Sequence, residues 1–297
     1  MSAPSAGLHD EALRALLLED APHGDLTTRG LALGDEAATI RFEARGAMTV
    51  AGIEAAARML QLCGVAVVRP VSSGEAVAAG AVLLDGQGPA AGVLLGWKSA
   101  QTLVEACSGI AGATAAIVRR LREAGFATPL ACTRKSFPGT RWLAAEAVQA
   151  GGGVMHRLGL SETLLVFPEH RALLPPGMLA ARLQALRQAQ PEKRLVVETG
   201  DEEEALALAR LGVDVLQLER FDPARLAALK ARLHAEGLGS RLAPAGGVTL
   251  DNALAFAAAG ADLLVSSAPY FAPPADVRVR IGPAAVADVT AAAGRCG

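Results

Sequence analysis

The strongest constraint in this sequence is a unit that recurs along its second half: a short apolar run of strand length, then a helical segment. Strand-like runs cover 129–133, 163–167, 194–198, 215–218 and 241–244. Each is followed by a helical pattern, at 140–150, 178–190, 201–211, 223–236 and 250–259, and a last strand-like run covers 262–266. Runs this short and apolar suit strands buried on both faces, and the helices between them are the crossovers that parallel pairing requires. The pattern predicts a parallel α/β arrangement, either an open sheet or a barrel, with too few units for a complete eightfold barrel. Composition agrees. Hydrophobic residues make up 52% of the 297 and aromatics only 3%, so Ala, Leu and Val must build the core, as suits helices lying closely on such a sheet.

The first part of the chain reads differently. An amphipathic helix over 8–19 carries Leu13, Leu16 and Leu17 on one stripe. A turn-rich segment follows, then a strand over 37–50, a helix over 52–64 and short β-like runs over 65–84 broken by Gly74 and Gly80. Helix resumes over 99–125, with a glycine-rich interruption at Gly109 and Gly112. The expected division is an N-terminal α/β domain over 1–108, a catalytic domain over 109–272, and a tail over 273–297 that packs back on the first domain.

A net charge of −2 points to neither nucleic acid nor an anionic membrane, although basic residues cluster between Arg134 and Arg157. Cys63, Cys107, Cys132 and Cys296 are far apart, with no metal-binding spacing. No export signal is recognised, and no run is read as reaching the roughly 18 apolar residues of a membrane span. A reduced, cytoplasmic chain without membrane insertion is expected.

In both parallel architectures, sites form at the carboxyl ends of strands. Those ends carry Arg134 and Lys135, then Glu169 and His170, then Glu198, then Glu219 and Arg220, then Gly246 and Gly247, and finally Ser266 and Ser267. Small-residue loops let backbone N–H groups approach a phosphate, which suits Gly246-Gly247 ahead of a Thr249 helix cap and suits Ser266-Ser267. Glu198 and Glu219 could hold Mg²⁺, and Arg134 and Lys135 could neutralise carboxylate or phosphate groups. Plainer roles are open too. Glu198 could cap the next helix, Gly246-Gly247 could be only a turn, and His156-Arg157 could be a surface loop after Gly151-Gly152-Gly153. His170 could be structural, Cys132 could be packing, and Glu202-Glu203-Glu204 reads as a solvated helix start.

Taken in order, these residues resemble the nicotinate-nucleotide pyrophosphorylase family, also called quinolinate phosphoribosyltransferase. The likeness runs from Glu19-Asp20 and Gly24-Asp25-Leu26-Thr27-Thr28 through Ser108-Gly109-Ile110-Ala111, TRKSFPGTR at 133–141 and GGGVMHRLGLSET at 151–163 to Gly246-Gly247. The resemblance implies an N-terminal α/β sandwich domain and an incomplete parallel α/β barrel. It also implies a homodimer with a site completed across the interface, and displacement of pyrophosphate from phosphoribosyl pyrophosphate with Mg²⁺. Under it, Arg134, His156 and Arg157 match contacts to the acceptor's carboxylate, Lys135 a basic residue near the donor, and Glu198 a carboxylate near ribose and metal.

Several positions depart from the quinolinate enzymes. Lys98 stands where a partner-supplied arginine is expected, Phe167 replaces a lysine that meets quinolinate ahead of the retained His170, and Glu219-Arg220 replaces Asp-Asn. Ala245 replaces a serine, and Ser267 a glycine of the phosphate loop. A carboxylate that lost its lysine partner to Phe167 would bind on the order of a thousandfold more weakly. The combination resembles the ModD branch of the family, pyrophosphorylases found with molybdenum transport genes. It implies glycosyl transfer to an unassigned, anionic acceptor, with a true quinolinate phosphoribosyltransferase and a non-catalytic molybdate- or metabolite-binding protein as the alternatives.

Overall fold

A computed structural model describes residues 6–284. In chain order the first elements are α1 (Ala6–Asp20), α2 (Leu26–Gly30), β1 (Ala37–Ala44), β2 (Met48–Thr49), α3 (Ile53–Leu62), β3 (Ala66–Val68), β4 (Ala76–Val77), β5 (Val82–Pro89) and α4 (Ala90–Glu123). The second half holds β6 (Leu130–Cys132), α5 (Arg141–Ala150), β7 (Val154–Met155), β8 (Leu164–Val166), α6 (Pro168–Ala172), α7 (Leu179–Ala189), β9 (Leu195–Thr199) and α8 (Glu202–Arg210). It continues with β10 (Val215–Glu219), α9 (Pro223–Ala235), β11 (Arg241–Ala245), α10 (Ala253–Ala258), β12 (Leu264–Ser266), a 3₁₀ turn (Ala268–Phe271) and β13 (Val277–Pro283). The described chain divides into two compact units, one of residues up to Ser108 together with those from Pro274, the other Gly109–Pro273.

The first unit is an antiparallel sheet in the order β13-β1-β5-β3 with helices packed on it, and β2-β4 as a separate pair. Along β1 the inward positions Ala38, Ile40, Phe42 and Ala44 are buried, the period of two that a half-covered strand must show. Phe42 pairs with Val279 on one side and Leu84 on the other. The strand expected over 37–50 is in fact two, because the chain turns after Ala44 and re-forms as β2 against β4. Gly52 caps α3 in the left-handed region (φ 73°), where a Cβ would lie 2.7 Å from Leu103 Cδ2. Of the segment expected to fold back, β13 supplies an edge strand to this sheet. Residues 285–297, with Cys296, lie outside the described residues.

The α4 helix is uninterrupted, against the expected break at Gly109 and Gly112, and begins well before residue 99. A Cβ on Gly112 would meet nothing within 4 Å, so the helix simply tolerates that glycine, whereas Gly92 serves close packing: a Cβ there would lie 2.1 Å from the Cys63 carbonyl oxygen. By length and composition alone α4 could cross a membrane, contrary to the expectation that no segment approaches that threshold; half of its most apolar stretch is buried inside the protein.

The second unit contains parallel ladders in two groups, β12-β6-β7 and β11-β10-β9-β8. The Asp262 N–H, just ahead of β12, donates to the Leu242 carbonyl in β11 and joins the groups. No ladder among the described residues joins β7 to β8, so the barrel is incomplete at a seam between consecutive strands. Strand alternation sorts the core into two layers. Leu130, Leu195, Val197, Leu216, Leu218, Leu242 and Leu264 face the helices. Leu165, Val196, Val215, Ala243, Ala245 and Val265 fill the interior. β7 and α6 escaped the sequence reading because two and five residues are too short to show a period.

Candidate active site

Above the interior apolar layer the same alternation brings polar groups inward. Val215, Gln217 and Glu219 follow one another on the inner face of β10, and Val196 and Glu198 do so on β9. Small side chains at Ala243 and Ala245 leave room, and the strand ends enclose a cavity of about 730 Å³. Arg134, Lys135, His156, Arg157, Phe167, His170, Glu198, Glu219, Gly246, Gly247, Ser266 and Ser267 all line it. Lys98 does not. It lies on α4 in the first unit, its Nζ 3.1 Å from Gln101 Oε1 and 5.3 Å from the Trp97 ring centre. Thr133, Glu169 and Thr249, neighbours of the strand-end groups that had been given no role in binding, also line the cavity, and so does Gln217, which the sequence reading missed. For Gln217 the available signal was a polar residue inside an otherwise apolar strand run.

One wall is cationic. Arg157 is buried, 5% exposed, and its guanidinium stands 5.6 Å from the centre of the Phe167 ring. Burial first, and then Arg134, press its pKa down. Among the described residues, no carboxylate lies within ion-pair distance of Arg134, Lys135 or Arg157, although ion pairs are frequent elsewhere in this unit. A buried cation without a counter-ion is costly unless a ligand supplies one. His156 is also held toward its neutral form, by burial and then by Arg157. The Tyr270 hydroxyl donates to the Thr133 carbonyl at 2.8 Å, tying down the start of the basic loop.

The facing strands carry the carboxylates. Glu198 sits within β9 rather than capping the next helix. That cap is Asp201, whose side chain accepts from Glu204 N–H. Burial raises the Glu198 pKa, a hydrogen bond from Gln217 opposes the rise, and the nearby charge of Glu219 adds to it. Glu219 rests against Gly246, where a Cβ would lie 2.4 Å from its Oε1. Arg220, next in the chain, is left-handed (φ 55°), a conformation that suits asparagine and strains arginine. Among the described residues no three metal-binding side chains cluster. Mg²⁺ is commonly held by one or two carboxylates together with substrate phosphates, and the coupled pair Glu198 and Glu219 fits that need.

The small-residue loops differ in detail from expectation. Thr249 is not the cap of α10. The helix begins at Ala253, and the Asn252 side chain instead accepts from Thr249 N–H and donates to the Gly247 carbonyl. Gly246 and Gly247 (φ 73° and 120°) therefore form a freestanding turn rather than opening a helix. Ser266 is buried, its hydroxyl donating to the Val248 carbonyl and accepting from Ala268 N–H and its carbonyl accepting from Thr133 N–H, so both oxygens serve the fold. His170 Nδ1 accepts from Phe167 N–H at 2.9 Å, and its ring stacks on Phe167, so one nitrogen serves the start of α6. Cys132 is buried packing, its thiol pushed up to about 12 by desolvation. Glu202, Glu203 and Glu204 are not simply solvated; they pair with Arg225, Arg232 and Arg171.

An incomplete parallel barrel with a cationic wall facing carboxylates at the strand ends is the architecture of a phosphoribosyl transferase-type fold. The chain belongs to the quinolinate phosphoribosyl transferase family, whose N-terminal domain matches residues 25–108 and whose C-terminal domain matches 110–280. It is 48% identical over 246 residues to a Rhodobacter capsulatus protein that carries the name pyrophosphorylase ModD, covering 83% of this chain and 95% of the relative. To the nicotinate-nucleotide pyrophosphorylase (carboxylating) of Mycobacterium leprae it is 32% identical over 263 residues, covering 87% and 91%. Among solved structures, NadC from Streptococcus pyogenes shares the fold with a TM-score of 0.85 at 24% identity, covering 95% of this chain and 99% of that one.

Proposed function

We propose that this chain is a pentosyltransferase that moves the phosphoribosyl group of phosphoribosyl pyrophosphate to a small anionic acceptor, as a ModD-type pyrophosphorylase rather than a quinolinate enzyme. The observation that carries this is Arg157, a buried cation with no carboxylate partner among the described residues, facing a cavity that also holds Glu198 and Glu219. The acceptor's anionic group lies against Arg134 and Arg157, with its flat face on Phe167. A single anionic group suffices, because Phe167 offers no partner to a second carboxylate. The bond from ribose C1′ to pyrophosphate oxygen breaks as the bond from C1′ to the acceptor forms. The transition state is cationic at the sugar, so the work is positioning and charge stabilisation. Glu198 and Glu219 face that developing charge, Lys135 holds the departing pyrophosphate, and backbone groups of Gly246, Gly247, Ser266 and Ser267 receive the 5′-phosphate. Glu198 and Glu219 would also hold Mg²⁺, which when bound neutralises charge on the leaving group.

The resemblance further supports a cytoplasmic homodimer in which Lys98 reaches the site of a second copy, and a link to molybdenum uptake. Calorimetry with phosphoribosyl pyrophosphate and Mg²⁺ tests the core of this reading; no binding at millimolar donor overturns it. Efficient formation of nicotinate mononucleotide from quinolinate would overturn the acceptor assignment alone. Tight molybdate binding without any pyrophosphate release would instead make the cavity an oxyanion sensor.

A further inference from the structure

Gln217 is the one site residue that neither wall explains. It is 5% exposed, lies on the inner face of β10, and lines the cavity. Parallel register sets it directly beside Glu198, and its Nε2 donates to Glu198 Oε2. That fixes which way the amide points, because the oxygen end would repel the carboxylate. The other end, Oε1, is buried with no hydrogen-bond partner among the described residues. Buried acceptors are almost always satisfied, and an amide inside a strand whose other inward groups are Val215 and Glu219 has no packing advantage over leucine.

We propose that Gln217 is a specificity-determining residue that accepts a hydrogen bond from a hydroxyl of the donor's pentose while its amide N–H steadies Glu198. This rests on the phosphoribosyl-transfer reading and adds Gln217 to the side of the cavity where that reading already places the sugar. The charges divide the cavity. Anionic groups go to Arg134 and Arg157, and what remains beside Glu198, Glu219 and Gln217 Oε1 is rich in acceptors. A neutral group rich in O–H donors satisfies all three; a carboxylate or phosphate satisfies none.

The test titrates ribose 5-phosphate and inorganic phosphate separately into wild-type protein, Gln217→Leu, Glu198→Ala and the double variant. Gln217→Leu is expected to bind ribose 5-phosphate about tenfold more weakly, with phosphate affinity unchanged. The same drop should persist when Gln217→Leu is added to Glu198→Ala, since direct contact does not act through the carboxylate. Its melting temperature should equal or exceed the wild type's, because an unpaired buried acceptor is removed; Gln217→Met is the substitute if the leucine variant does not fold. Unchanged ribose 5-phosphate affinity in Gln217→Leu would mean that Oε1 is served by water and overturn the inference. Loss of the effect in the Glu198→Ala background would reduce Gln217 to a prop for Glu198 and overturn it too. Failure of wild-type protein to bind either probe would instead strike the phosphoribosyl reading itself.

Discussion

The barrel unit carries two populations of basic residues. Around the helix shell several are held by a carboxylate: Arg225 with Glu202 at 2.9 Å, Arg232 with Glu203 at 2.6 Å, Arg210 with Glu236 at 2.8 Å and Lys230 with Asp262 at 2.7 Å. At the mouth, Arg134, Lys135 and Arg157 have none within ion-pair distance among the described residues, although Glu198 and Glu219 line the same cavity. The shell pairs fasten α8 and α9 to their neighbours. The mouth keeps its opposite charges apart, and that separation stores binding free energy for a ligand carrying both an anion and a hydroxylated, cation-like centre. The contrast teaches that these shell pairs serve the fold, whereas the mouth leaves its buried cation open to a ligand.

The sharpest way to break that contrast is Arg157→Met. Turnover with whichever acceptor releases most pyrophosphate should fall by about a hundred- to a thousandfold, while the melting temperature should hold or rise because an uncompensated buried charge is gone. A large loss of stability would mean that Arg157 belongs with the shell. Next in size is Glu198→Gln, expected to cost on the order of a hundredfold in turnover. It also has a pH signature. Burial holds the Glu198 carboxyl above its ordinary 4.5, so between that value and the raised one the native chain keeps a proton the unfolded chain has released. The ligand-free protein should therefore lose stability as pH rises through that interval, and Glu198→Gln should flatten the loss; melting curves from about pH 4 to about pH 8 would show it.

In the shell, Arg171→Met separates a 13%-exposed guanidinium from Glu204 and from the Glu198 carbonyl it donates to. It should lower stability by roughly 2–3 kcal/mol in chemical denaturation, with phosphate affinity nearly unchanged. Smallest is Arg220→Asn. Arg220 is 85% exposed and its contact with Glu219, 3.6 Å, is worth little, so relief of its left-handed backbone should dominate. A gain of about 0.5–1 kcal/mol by the same measurement is expected.

Much of the barrel was legible because its strands are apolar on both faces and its helices are long enough to show a period. What stayed hidden had no period to show. β7 is a two-residue strand, α6 a single short turn of helix, and α4 reads as broken because Gly109 and Gly112 each weaken a helix locally, a cost that the unbroken helix over Ala90–Glu123 absorbs. For the site, residue type at a strand end was enough to collect Arg134, Lys135, Glu198 and Glu219, whereas His156 and Arg157 came only with the family resemblance, because β7, the strand they follow, is too short to be seen in the sequence. Gln217 could not be weighed the same way, since its meaning depends on standing beside Glu198 across a ladder, a relation that register alone reveals. Nor could Ser266, whose hydroxyl is spent on the neighbouring loop.

Gly246 opens a different kind of handle. Its missing side chain is the space in which the Glu219 carboxylate lies. A single methyl there, Gly246→Ala, would evict the carboxylate from its resting place while leaving every titratable group in the protein intact. Such a variant moves the charge without removing it, and because it also strains the left-handed backbone of a loop assigned to the 5′-phosphate, its affinity for inorganic phosphate alone gives the loop's share of any loss. Weakened Mg²⁺-dependent donor binding in Gly246→Ala, set beside the loss in a Glu219→Gln variant, would measure how much of this site is charge and how much is address.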